Sequence, residues 1–74
     1  MTRNNNIRKD INNVIEHITA TIVMNEHEEE FYRRSGDATT NEGIRKIMFD
    51  AADNLAQSRL GLEALKKRLQ ETGW

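Results

Sequence analysis

From Ile7 onward the apolar residues return at steps of three and four, as Ile7, Ile11, Val14, Ile15, Ile18 and Ile22. On a helix of about 3.6 residues per turn these positions fall in one stripe about 100° wide, which predicts an amphipathic helix with a single core-facing side. Asn4, Asn5 and Asn6 precede the stripe. Their side-chain oxygens can accept from orphan backbone N–H groups, so the helix is expected to start in that run, near residue 5. Its end is expected at Arg34, because Ser35-Gly36-Asp37 is the first cluster of small and turn-forming residues. Glu29 with Arg33 and Glu30 with Arg34 are acid-first i,i+4 pairs that support the helix up to that point.

After a turn at 35–39, the sequence Thr39-Thr40-Asn41-Glu42 fits a capping box, with Thr39 and Glu42 exchanging hydrogen bonds. A second helix is then expected over about 40–72, since Ile44, Met48, Ala51, Leu55, Ser58, Leu62, Leu65 and Leu69 alternate by four and three. Lys66, Lys67 and Arg68 complement the negative end of its dipole, and Gly73 is a candidate stop. Two helices of similar length with a short connection predict one all-α domain over 1–74, an antiparallel helical hairpin. Folding about Gly36 would bring Ile18 to Leu55, Ile11 to Leu62 and Asn25 to Met48, and Glu28 to Glu30 opposite Arg45 and Lys46. A break near Asn25, giving three helices, is the alternative architecture.

One stripe per helix does not use all the apolar residues. Ala20, Met24 and Phe31 share another side of the first helix, and Phe49, Ala56 and Leu60 another side of the second. One alternative is that Phe31 and Phe49 pack across the hairpin near its turn. The preferred expectation is that Met24, Phe31, Phe49, Ala56 and Leu60 form a face for self-association or for a partner helix, with a four-helix bundle dimer as the simplest assembly. Asn25 continues the isoleucine register, where a polar residue can fix pairing at a cost in stability.

Composition sharpens this expectation. The chain has 74 residues, of which 36% are apolar, and no cysteine or proline. So small a chain has a marginal core, and without disulfides a partner subunit becomes the natural source of added stability. The opening residues are polar and the longest apolar run is Ile22-Val23-Met24. Neither a membrane span nor a targeting segment is expected, and the cytoplasm is the default compartment.

The net charge of −1 hides an uneven distribution. Acids concentrate in residues 26–50, whereas Arg3, Arg8 and Lys9 would meet Lys66, Lys67 and Arg68 at the open end of the hairpin. That basic end could contact phosphates, which gives the second functional class, a nucleic-acid-associated regulatory protein. Acids interrupt it and no aromatic residue interleaves to stack on bases, so a protein partner is preferred.

Chemistry finds little support. His17 and His27 are the only histidines, neither follows a glutamate by three residues, and His-Glu-x-x-His is absent. The phrases Glu30-Phe31-Tyr32-Arg33 and Met48-Phe49-Asp50-Ala51-Ala52 resemble helices of ferritin-like proteins. The Glu-x-x-His that this resemblance requires after Phe49 is replaced by Leu55-Ala56-Gln57-Ser58-Arg59, so the family is not carried over. No metal, cofactor or catalytic residue is expected. The sequence therefore predicts a small non-enzymatic protein-binding protein, an inhibitor, adaptor or assembly factor of the kind found among bacterial and phage accessory proteins.

Overall fold

The computed structural model describes the backbone of residues 2–71 and the side chains of residues 6–71. Two helices make up the fold, α1 over Thr2–Ala38 and α2 over Glu42–Gln70. They pack antiparallel along a narrow rod of 61 × 14 × 11 Å. The all-α hairpin is as expected, and α1 runs without interruption through Asn25.

The helix limits differ from the sequence expectation at both ends of α1. Residues 4–6 lie inside α1 and not ahead of it. Asparagine in a helix costs only about 0.7 kcal/mol relative to alanine, too little to stop a helix that begins at Thr2. At the other end α1 passes through Ser35-Gly36-Asp37 to Ala38. Gly36 serves packing there. A Cβ at that position would lie 2.7 Å from Cε1 of Phe49, so the α2 ring occupies space that only glycine leaves open. Arg45 on the first turn of α2 donates from Nε to the Gly36 carbonyl at 3.2 Å and from Nη2 to the Thr39 carbonyl at 2.8 Å. Two carbonyls at the C-terminal end of α1, where helices leave acceptors without intrahelical partners, are thereby satisfied by a cation from the other helix.

Continuation of α1 also removes the predicted capping box. The Thr39 N–H donates to the Ser35 carbonyl at 3.2 Å, extending the helical pattern of α1. The N-cap of α2 is Asn41, in extended conformation with φ −83° and ψ 114°, and its Oδ1 accepts from the Ile44 N–H at 3.0 Å. Thr39 instead accepts at Oγ1 from the Asn41 N–H at 3.2 Å. The reversal thus occupies residues 39–41. Helix α2 ends at Gln70 with Lys67 and Arg68 in its last turn, while the proposed stop at Gly73 lies outside the described residues.

Moving the reversal from Gly36 to 39–41 moves every pairing toward the C-terminus of α2. Asn25 faces Arg59 and not Met48, Gly36 faces Phe49, and Ile11 and Ile15 share a cleft with Leu69. The expected match of Glu28 to Glu30 with Arg45 and Lys46 does not form, since Arg45 is engaged at the turn and Glu29 reaches Arg59.

The seam of α1 is the one the isoleucines predict, continued through Asn25, Glu29, Tyr32 and Gly36. That of α2 is rotated. Met48, Leu55, Leu62 and Leu69 face α1 as expected, but Ala52, Arg59 and Lys66 fill the alternate positions in place of Ala51, Ser58 and Leu65. Ile44 and Leu65, expected in the seam, are 46% and 44% exposed. Ala52 accounts for the choice, because its complete burial brings the helices close beside Gly36 and Phe49. Among the described residues only Ile18, Asn25, Gly36 and Ala52 have little contact with solvent, and no large side chain is fully enclosed.

Candidate interaction surface

Rotation of α2 places a charged residue, Arg59, in the middle of the seam. Its Nη1 donates to Asn25 Oδ1 at 3.1 Å and to Glu29 Oε1 at 2.5 Å. Glu29 in turn accepts at Oε2 from Arg33 Nε at 2.8 Å, and Arg33 Nη2 reaches Asp53 Oδ1 at 3.2 Å. Glu63 lies one turn beyond, 3.8 Å from Arg59. The buried Asn25 amide is satisfied here, and none of the buried side-chain polar atoms described lacks a partner. The hydrogen bond from Arg59 is the main reason that the Glu29 carboxyl stays ionised to lower pH than an ordinary glutamate, and that from Arg33 is the second. Arg33 is correspondingly held more firmly in its charged form, chiefly by Glu29.

This polar layer was only half visible in the sequence. Asn25 and the Glu29–Arg33 pair stand out by register and spacing, and Glu30–Arg34 also pairs as expected. Arg59 was missed. The available signal was the seven-residue spacing of Ala52, Arg59 and Lys66, interleaved with the leucines of α2.

The five residues assigned to an association face have separate environments. Met24, Phe31 and Leu60 are 62%, 63% and 59% exposed. The ring of Phe31 rests edge-on against Tyr32, with centroids 5.4 Å apart and planes at 75°. Phe49 and Ala56 are half-buried, Phe49 because it packs over Gly36 as the across-the-turn alternative requires, whereas Phe31, the other half of that alternative, stays exposed. At about 100° per residue, Met24 and Phe31 lie on the side of α1 turned away from α2, whereas Phe49, Ala56 and Leu60 follow one flank of α2. A second uncovered strip arises from the rotated seam, where Ile44, Ile47 and Leu65 join Val14 among the exposed apolar side chains.

At the open end, Arg8 lies with Ile11, Asn12 and Ile15 in a shallow cleft that Leu69 and Gln70 close. Lys9, Lys67 and Arg68 are exposed and Lys66 is half-buried, while the side chain of Arg3 lies outside the described residues. His17 and His27 are exposed, and no three metal-ligating side chains come together among the described residues. No described helix is long and apolar enough to cross a membrane.

Comparison with protein-family models, curated proteins and solved structures gave no match. The surface itself carries the functional argument.

Proposed function

We propose that this chain is a small non-enzymatic protein-binding protein, an inhibitor, adaptor or assembly factor that works through the apolar helix surface its own hairpin leaves uncovered. One observation carries the reading. Ile18 and Ala52 are the only buried apolar residues described, whereas eight large apolar side chains, among them Met24, Phe31, Ile47 and Leu60, are 44% exposed or more. Fully burying one such side chain contributes about 1.5–3 kcal/mol, so a partner that covers several of them gains stability from each. Apolar strips left open along a helix are surfaces that a partner helix can cover. Lys66, part of the basic end on which the nucleic-acid alternative depends, is turned into the seam and half-buried, which weakens that alternative.

The test is photocrosslinking in the source cell, with a photoreactive phenylalanine analogue at position 31 or 60 and, as control, at exposed Lys9. Protein adducts from positions 31 and 60 that exceed those from position 9 are expected. Equal or absent adducts at all three would remove the reading.

A further inference from the structure

The α2 flank that carries Phe49, Ala56 and Leu60 has an order that is complementary to its own reverse, since each charged position at one end corresponds to one of opposite sign at the other. Starting at Glu42, every fourth then third residue along this flank alternates in the pattern of a coiled-coil seam, ending at Lys67 about 38 Å away. Set a second α2 beside it, running the opposite way about an axis between Asn54 and Leu55. Glu42 then meets Lys67 of the other copy, Lys46 meets Glu63, Phe49 meets Leu60 and Asp53 meets Ala56. Each pairing occurs twice by symmetry. All the end layers join opposite charges, the next layers place an aromatic ring against a leucine, and the central ones set Asp53 against Ala56.

From this we infer that the partner of this flank is a second copy of the same chain, bound antiparallel along α2 to give a four-helix assembly with an isologous interface. The inference rests on the protein-binding reading and names its partner. Leu60 projects as a knob, 59% exposed. Phe49 forms the apolar floor of a shallow cleft whose other walls are Glu42, Arg45, Lys46 and Asp50, a seat into which the second copy's leucine fits. Asp53, close to the axis, already has Arg33 at 3.2 Å, so its carboxylate enters the contact with a counter-charge. Lys46, Lys67 and Glu42 have no ion-pair partner within the chain among the described residues and are exposed, available for the end layers. A parallel pairing would instead stack Glu42 on Glu42 and Lys46 on Lys46, and like charges discriminate against it. The strip of Ile44, Ile47 and Leu65 has no comparable charge code, which leaves the flank through Phe49 as the one whose occupant is specified.

Three kinds of variant test the interface, all at exposed positions. Mixing Lys46→Cys with Glu63→Cys and adding a short bismaleimide linker should give a covalent dimer, while either variant alone should not, since its two thiols would sit roughly 25 Å apart. Lys46→Glu should weaken dimerisation several-fold in sedimentation equilibrium, and Lys46→Glu with Glu63→Lys should restore it. Leu60→Asp should weaken it by about tenfold or more with helicity retained. A chain that sediments as a monomer at every concentration, or a dimer that links equally in the single variants, overturns the proposal. If such a monomer still captures other proteins from position 31 or 60, the protein-binding reading survives the loss of this dimer. If it captures none, both fall.

Discussion

Gly36 and Gly61 are both helical glycines, yet the space around them assigns them opposite roles. A Cβ at Gly36 would press on the Phe49 ring at 2.7 Å, whereas at Gly61 it would meet nothing within 4 Å. The Phe49 ring is half-buried and its retreat would loosen the closest approach of the two helices. Gly36→Ala is therefore expected to destabilise the fold by about 1–3 kcal/mol. Gly61→Ala should stabilise it by about 0.5–1 kcal/mol, because alanine gives up less backbone freedom on folding and nothing obstructs it. Urea unfolding of both variants and the parent at one protein concentration checks the pair, concentration being held fixed because any association would shift the midpoint. A gain in stability for Gly36→Ala would contradict the contact on which the turn is built.

The pairing of the two elements is set where their charges meet. Glu29 belongs to α1 and Arg59 to α2, so their 2.5 Å contact ties the helices in one register. Because the folded chain holds the Glu29 carboxyl below its usual pKa, the unfolded chain takes up the proton first as the solution is acidified. The stabilisation is fully present above the ordinary glutamate range and disappears as pH falls through the lower, folded value. Urea midpoints followed from neutral to acid pH should thus fall more steeply for the parent than for Glu29→Gln. Parallel curves would show that the pair does not couple the helices. Much of this level is legible in sequence. The two helices, the isoleucine seam and the i,i+4 pairs follow from period and spacing alone. The register was not, because Ser35-Gly36-Asp37 has the composition of a turn while the reason for its glycine, the ring of Phe49, is distant in the chain. The same distance conceals Arg59, whose partners on α1 are 30 and 34 positions away. Of the association face, exposure of Met24, Phe31 and Leu60 could be read from the helical wheel, whereas the inward lean of Phe49 stood only as an alternative, because the wheel does not show the space left at Gly36.

The molecule as a whole is a rod whose two strands of helix are joined by only three residues, with Arg45 fastening the join. That join gives the chain an order of assembly. Contacts beside the reversal close short loops, such as Gly36 to Phe49, while those at the far end, such as Ile11 to Leu69, link residues most of the chain apart. Loop-closure entropy rises with that separation, and local contacts form fastest, so the hairpin is expected to zip from residues 39–41 outward and to open from the other end. Native-state amide exchange should then show protection declining along both helices with distance from the turn, with a step at the layer of Asn25, Glu29 and Arg59. Uniform protection from end to end would instead mean a single cooperative opening. With a gradient, the isoleucine half of α1 spends part of its time as a separate amphipathic helix, so the open end is a place where the chain can exchange its own α2 for another helix.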